Sequence, residues 1–128
     1  MAVKIFQEIE AWRFAHELTL KVYKVTGSFP LEERFGLSSQ MRRAAVSVPS
    51  NIAEGFKRRS SNDAIHFYNI AESSLEELKY QLYLAFELKY IKEDDYIQLE
   101  QLSDRVGRVL YGWIRNQRII KRTVNREP

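Results

Sequence analysis

Two long apolar stripes run through the second half of the sequence, and each repeats at alternating three- and four-residue intervals. One consists of Ala71, Leu75, Leu78, Leu82 and Ala85, and the other of Leu99, Leu102, Val106, Val109 and Trp113. This spacing places the apolar side chains on one face of an α-helix, whereas a half-buried strand would alternate every two residues. Heptad-like spacing also favours shallow helix crossing angles. The pattern therefore predicts two long helices in a bundle.

The first half of the sequence contains two shorter segments with the same helical periodicity. Their stripes are Trp12, Ala15, Leu18, Val22 and Val25, and then Leu37, Met41, Ala44, Val48, Ile52 and Phe56. Gly27 and Pro30 follow the first segment, and Gly55 closes the second. We predict helices at about 8–26, 36–56, 61–89 and 93–118. The predicted fold is all-α, an up-and-down four-helix bundle.

The starts of the third and fourth helices have their own signals. Ser60 and Asp63 show the spacing of a capping box, with an acid in place of the usual Glu or Gln. Three acidic residues, Glu93, Asp94 and Asp95, open the fourth segment, where they suit the positive end of a helix dipole. These signals fix where both helices begin.

Length and composition limit the kind of protein. A chain of 128 residues suits one domain, and we predict a bundle at 1–118 followed by a basic tail at 119–128. The absence of cysteine excludes thiolate zinc sites, thiol catalysis and disulfides. The N-terminus has no apolar signal segment, and no run of about eighteen apolar residues occurs. We therefore expect a cytoplasmic protein that does not span a membrane.

Charge is unevenly distributed along the chain, although the formal net charge is only +3. Residues 38–59 contain five basic side chains and one acidic side chain, whereas residues 60–100 contain three basic and nine acidic ones. Residues 101–128 contain seven basic and two acidic side chains. Separate acidic and basic elements can attract a polyanion, or another copy of the same chain.

The predicted second helix contains Pro49, which has no N–H and whose ring clashes with the carbonyl of residue 45. We predict that the helix is kinked there, or restarts with Ser47 as its cap. Either choice leaves the Ala45 carbonyl without its usual donor. The neighbouring polar groups of Ser47, Ser50 and Asn51 are candidates to satisfy such unpaired groups.

Basic residues at both ends of this helix are candidate nucleic-acid contacts. Lys57, Arg58 and Arg59 follow its end, where cations also complement the helix dipole. Arg42 and Arg43 lie near its start, and no acidic residue stands three or four positions away from either. For this arginine pair we therefore predict a contact to Glu54, to a neighbouring subunit or to phosphate.

The fourth predicted helix carries a further row of arginines. Arg105, Arg108 and Arg115 fall near one face, and Arg118 and Arg122 extend the row. Such a row can follow a phosphate backbone, with binding that tolerates sequence and weakens with salt. A solvated helix face is the structural alternative. No base-reading motif is present.

Some apolar residues lie off the main stripes of the two long helices. They are Phe67, Ile70, Tyr83, Leu84 and Phe86 in the third helix and Leu110, Tyr111 and Ile114 in the fourth. Some of them widen the core-facing stripe. The remainder would leave an exposed apolar patch, for which self-association is the preferred explanation.

Several short motifs carry a resemblance to a known family. They are Phe35-Gly36-Leu37, Arg42-Arg43-Ala44, Val48-Pro49, the block Asn51-Ile52-Ala53-Glu54-Gly55, and Arg58 with Ser60. Over about residues 9–115 the chain resembles the four-helix-bundle family of ribosomal-RNA intervening-sequence proteins, which are small bacterial proteins. Pro49, Asn51, Glu54 and Gly55 match that family's signature. The family mostly lacks an established activity.

The same resemblance carries implications about assembly and binding. The family is similar to the accessory protein of diversity-generating retroelements, a basic homopentamer that binds nucleic acid and a reverse transcriptase. The similarity implies a homo-oligomer here, a pentamer, with affinity for RNA or DNA. It leaves the identity of any protein partner open.

Enzymatic alternatives have weak support, and we predict no catalytic residue, metal or cofactor. A di-iron bundle would need two Glu-x-x-His motifs, and only Asp63-x-x-His66 comes near. Arg59 and His66, separated by six residues, satisfy the loose spacing of a HEPN-type ribonuclease. A pure assembly module is the other alternative, in which acidic side chains of the third helix face a neighbour's basic helix. Those side chains are Glu72, Glu76, Glu77 and Glu87.

Overall fold

The computed structural model describes the backbone of residues 3–126 and the side chains of residues 3–117. It contains four α-helices: α1 (Glu10–Thr26), α2 (Leu37–Phe56), α3 (Ser61–Glu87) and α4 (Glu93–Arg126). Short 3-10 helices, Phe6–Glu8 and Leu31–Glu33, precede α1 and α2. No strand occurs in residues 3–126, which confirms the predicted all-α class.

The helices surround one core, in the order α1, α2, α3, α4 and back to α1. Short connections join consecutive helices, so each runs antiparallel to the next, and the predicted up-and-down bundle is confirmed. Every helix contributes to the core, whose largest fully buried side chains include Leu18, Val22, Met41, Val48, Ile52, Tyr68, Leu78, Leu82, Leu99, Val106 and Leu110. Among the described residues, no helix has the length and apolar character needed to cross a bilayer.

The apolar residues off the main stripes divide between core and surface. Leu110 and Ile114 are buried in the core, because the core-facing stripe of α4 is wider than one heptad seam. Ile70, Tyr83 and Tyr111 remain exposed. Phe67, Leu84 and Phe86 are half-buried. Part of this apolar surface is therefore still unpaired in the single chain.

The helix ends follow the predicted signals, with one extension. The Ser60 hydroxyl accepts a hydrogen bond from the Asp63 N–H at 3.2 Å, which confirms the cap of α3. After α3, Lys89 takes a left-handed backbone conformation with φ 66°, and this turns the chain into α4. The sequence placed the end of α4 near residue 118, whereas its backbone stays helical to Arg126.

Pro49 lies inside α2, which runs without interruption from Leu37 to Phe56. A restart at Pro49 therefore does not occur. The Ala45 carbonyl that Pro49 leaves without a donor accepts a hydrogen bond from the Thr19 hydroxyl of α1, at 3.0 Å. The expected donors were local, but the observed donor comes from the neighbouring helix, because the side chain of Thr19 is buried against this turn of α2.

The polar cluster near Pro49 instead links α2 to α3. Asn51 donates its side-chain amide to the Ser47 carbonyl at 2.8 Å and to the Ser47 hydroxyl at 3.0 Å. The Ser47 and Ser74 hydroxyls form a hydrogen bond of 2.7 Å across the two helices. Asn51 therefore acts as a structural residue that orients Ser47 toward α3.

Gly55 lies within α2 at a point where α2 and α3 pack closely. A Cβ atom at this position would lie 2.8 Å from Cδ1 of Tyr68 and 3.0 Å from the Ala64 carbonyl oxygen. Tyr68 is almost fully buried, so its ring has little freedom to move away. The glycine is therefore needed for the packing of α2 against α3. It does not stop the helix, because α2 continues past it to Phe56.

Candidate nucleic-acid interface

The candidate basic residues of α2 lie at opposite ends of the helix. Arg43 and Lys57 are fourteen positions apart, which corresponds to about 21 Å along a helix axis. We call the first group the arginine corner: Arg34, Arg42 and Arg43, with the loop 27–36 that joins α1 to α2. We call the second group the basic end: Lys57, Arg58 and Arg59. The structure therefore separates the predicted α2 contacts into two surfaces.

Arg42 has a partner that its own helix does not provide. Its Nε donates to the Thr26 hydroxyl at 2.8 Å, and its Nη2 donates to the Tyr23 carbonyl at 3.3 Å. Its guanidinium also lies 4.6 Å from the centre of the Tyr23 ring. A cation at the last turn of α1 is favourable, since the carbonyls there, including that of Tyr23, form the negative end of the helix. The predicted contact of Arg42 with Glu54 is not formed, and no other acidic residue pairs with Arg42 among the described residues.

Arg43, next to it, is exposed and has no hydrogen-bond or ion-pair partner among the described residues. Arg34 is also exposed, and its guanidinium lies 5.4 Å from the centre of the Phe35 ring. No carboxylate within 4.0 Å pairs with any arginine of the corner in the described part of the chain. Among the described residues, these three arginines therefore form no ion pair.

The nearest acidic residue of the loop, Glu33, is engaged elsewhere. One carboxylate oxygen accepts from the Leu37 N–H at 3.2 Å, which caps the start of α2. The other accepts from the Tyr90 hydroxyl at 2.9 Å, a bond that raises the pKa of Tyr90. A Cβ atom at Gly36 would lie 2.8 Å from the capping oxygen, so glycine makes room for it. This arrangement gives Gly36 and Leu37 of the Phe35-Gly36-Leu37 motif a structural role and leaves the exposed Phe35 without one.

The arginine corner surrounds an open cavity of about 450 Å³. Its lining includes all three arginines of the corner, the hydroxyl-bearing residues Tyr23 and Thr26, and no carboxylate. Leu31 and Phe35 stand at its edge with exposures of 84% and 88%. An anion in this cavity would meet positive charge, hydroxyl groups and an exposed aromatic face.

At the basic end, Arg58 is the residue with internal partners. It forms an ion pair of 2.7 Å with Glu54. Its guanidinium also lies 4.3 Å from the centre of the Phe67 ring on α3. Lys57 and Arg59 are exposed and unpaired among the described residues. These two residues are therefore the free cations of the basic end.

The arginine row of α4 is split among different environments. Arg105 packs on the Phe14 ring of α1, with its guanidinium 4.1 Å from the ring centre. Arg108 borders a groove that also contains Glu72 and Glu76 of α3. Arg115 is exposed. The side chains of Arg118 and Arg122 lie outside the described residues.

The groove between α3 and α4 was not foreseen from the sequence. It has a volume of about 690 Å³ and is lined by acidic and basic side chains. Lys79 bridges the two helices through Asp104 at 3.3 Å and Glu76 at 3.6 Å. Three carboxylates line the groove (Glu72, Glu76 and Asp104) against two cations, so it does not favour an anion.

The residues of the enzymatic alternatives lie at or just before the start of α3. His66 is exposed on α3, and its ring lies edge-on to Phe67 at 5.5 Å. Arg59 is exposed in the preceding turn. Within the described side chains, no group of three or more His, Asp or Glu residues is placed to hold a metal ion.

Sequence reasoning missed the α1 side of the arginine corner. Tyr23 and Thr26 hold Arg42, and Arg34 completes the positive cluster. Arg42 lies sixteen residues from Thr26, so helical spacing could not reveal this contact. The available signal was the loop before α2, where Arg34 stands beside Phe35 within a short stretch that also contains Phe29, Gly27 and Gly36.

Comparison with known proteins gives a family and a fold. The family model for the 23S rRNA-intervening sequence protein matches residues 7–112. Among solved structures, the chain is similar to a protein of unknown function from the S23 ribosomal protein family of Bacteroides thetaiotaomicron, with a TM-score of 0.76 and 24% identity. That likeness covers 82% of this chain and 95% of the other, and it shows a shared fold. No curated protein matches the sequence.

Proposed function

The chain belongs to the 23S rRNA-intervening sequence protein family, and from this we propose that it is a non-enzymatic homo-oligomer that binds RNA or DNA. Binding uses exposed basic side chains and is not strongly sequence-specific. The proposal includes the pentameric assembly that the similarity to retroelement accessory proteins implies, and a cytoplasmic location.

One observation carries the binding proposal: exposed cations that no acid neutralises occur at both ends of α2. Arg43 at one end, and Lys57 and Arg59 at the other, have no ion-pair partner among the described residues. The ion pairs among the described residues involve other cations, namely Arg58, Lys21 and Lys79. Unpaired surface cations are available to replace counterions along a phosphate backbone.

The test is a salt titration of binding to a fluorescent RNA oligonucleotide. In the triple variant Arg43→Gln/Lys57→Gln/Arg59→Gln we expect weaker binding at low salt. The slope of log affinity against log salt should become shallower by about 0.7 for each phosphate of a single strand that the variant no longer neutralises. A matched control, Lys24→Gln/Lys89→Gln/Lys92→Gln, removes the same charge from three other exposed lysines.

The comparison of the two variants decides the outcome. Equal losses of affinity would mean that only net charge matters, and would remove the α2 ends from the proposal. A wild-type protein that binds neither RNA nor DNA at low salt would overturn nucleic-acid binding itself.

A pure assembly module is the second candidate, and exposed apolar side chains favour it. Tyr80 and Tyr83 lie one turn apart on α3 with exposures of 63% and 50%, close to acidic residues of the same helix. Aromatic residues are enriched at protein interfaces. In this candidate the charges pair between subunits and no nucleic acid is bound.

A further inference from the structure

The cavity of the arginine corner joins two features. One is a set of three arginines without a neutralising carboxylate, and the other is a phenylalanine exposed to 88% of its area. A structural role explains only part of this set, namely the contacts of Arg42 with α1. Within the described side chains, no comparable contact with another helix is seen for Arg43 or for the exposed ring of Phe35.

We propose that this cavity binds one unpaired nucleotide of a single-stranded RNA or DNA, with its phosphate on Arg42 and Arg43 and its base stacked on Phe35. The inference rests on the proposed nucleic-acid binding and specifies its site and the form of its ligand. It concerns unpaired strands, because the faces of bases are accessible for stacking only outside a duplex.

Arg42 is a prepared phosphate ligand. A guanidinium has five N–H donors, and the two hydrogen bonds to Thr26 and Tyr23 leave three of them. Those contacts and the Tyr23 ring hold the guanidinium in place, so binding need not order a free side chain. Arg43 follows directly in the chain and brings an unpaired charge to the same cavity.

Phe35 supplies the stacking surface. Its ring is held near the guanidinium of Arg34, and arginine planes also stack on bases. Base stacking on an aromatic side chain tolerates every base, because each base has a π-face. Such stacking needs no base-specific contact, which agrees with the lack of a base-reading motif in the sequence.

The cavity has suitable size and charge for this ligand. Its volume of about 450 Å³ falls within the range of about 300–1,000 Å³ typical of small-molecule pockets, which suits one nucleotide. Its net positive lining favours a polyanion over an apolar segment of protein. The loop contains two acidic residues, the exposed Glu32 and Glu33, which is bound to Leu37 and Tyr90; neither of them lines the cavity.

The test compares substitutions of Phe35 that separate stacking from apolar packing. Phe35→Leu keeps an apolar side chain and removes the aromatic face, so we expect affinity for a single-stranded 12-mer RNA to fall about fivefold or more. Phe35→Trp should retain affinity. Binding of a duplex of the same length should change little in either variant. Tyr80→Leu is the control, since Tyr80 is an exposed aromatic residue outside the cavity.

A spectroscopic readout checks the contact directly. In Phe35→Trp, the single strand should quench the added indole fluorescence beyond any change in the wild type, whose Trp12 and Trp113 are both half-buried. Arg43→Gln should weaken single-strand binding more than Arg13→Gln, which changes another exposed arginine, on α1. These results would support a nucleotide in the cavity.

Other results overturn the inference and identify the cause. Unchanged affinity of Phe35→Leu, together with no quenching of the indole in Phe35→Trp, would place the nucleic acid elsewhere, while the proposed function stands. Loss of the oligomer in Phe35→Ala, with RNA binding intact, would make the corner a contact with a second copy. Absence of any binding by the wild type would instead contradict the proposed function.

Discussion

At the scale of single residues, the hydroxyl of Thr19 resolves the problem that Pro49 creates. It lies 3.0 Å from the Ala45 carbonyl of α2 and 2.9 Å from the Ala15 carbonyl of its own helix. Both Thr19 and Ala45 are buried. A buried carbonyl without a donor is costly, and water has little access here. One threonine therefore makes an internal proline tolerable.

This arrangement predicts a specific loss of stability. Thr19→Val keeps the shape and removes the hydroxyl, so the free energy of unfolding should fall by about 1–3 kcal/mol, the cost of an unsatisfied buried group. Urea denaturation followed by circular dichroism measures it. Thr19→Ser keeps the hydroxyl and should lose less. If serine proved as damaging as valine, the methyl group would matter and not the hydrogen bond.

At the scale of helices, the approach of α2 to α3 depends on Gly55. Tyr68 fills the space that a side chain at position 55 would occupy, and its ring also meets Trp113 of α4 edge-on at 6.1 Å. Three helices therefore converge at this point. A second glycine, Gly112 of α4, has no described atom within 4 Å of the place where its Cβ would stand.

The two glycines should respond oppositely to the same substitution. Gly55→Ala forces a methyl group against Tyr68 and should lower the free energy of unfolding by about 1–3 kcal/mol. Gly112→Ala meets no such obstacle and should raise it by about 0.5–1 kcal/mol through helix propensity. Thermal unfolding of the two variants beside the wild type provides the measurement. Stabilisation by Gly55→Ala would contradict the close packing.

Helix positions followed from the sequence, whereas contacts between helices did not. The stripe from Ala71 to Ala85 predicts α3 because periodicity is a local property. From the sequence alone Gly55 is interpreted as a helix stop, because a single sequence cannot show that Tyr68 packs against this position. The candidate site was found in part: Arg42 and Arg43 were chosen for lacking local partners, but the α1 groups that hold Arg42 are distant in sequence.

At the scale of the whole molecule, the surface combines charge with unpaired apolar area. Tyr80 and Tyr83 on α3 and Leu88 just after it are exposed. Exposed apolar groups of this size are typical of interaction surfaces when they cluster. The arginine corner carries its own exposed apolar pair, Leu31 and Phe35, which we assign to nucleic-acid binding, while the α3 group is assigned to assembly.

We expect light scattering to give a mass that is a multiple of the 15.2 kDa chain. If apolar contacts hold the assembly, that mass should persist at high salt while RNA binding disappears. Tyr80→Lys/Tyr83→Lys should lower the mass, because it places charge in an apolar contact. Leu20→Lys, a similar change on α1, is the control. A single-chain mass for the wild type would contradict the homo-oligomer.

The bond between Thr19 and Ala45 also bears on how α1 and α2 find their relative positions. Two apolar stripes can pack at several offsets along their axes, since hydrophobic contact is not directional. A slip of one turn, about 5.4 Å, would carry the Thr19 hydroxyl away and leave the Ala45 carbonyl buried without a donor. The Ala45 carbonyl that Pro49 leaves without a backbone donor therefore helps to select the alignment of α1 and α2. The alignment that is selected is the one in which the Thr19 hydroxyl donates to this carbonyl.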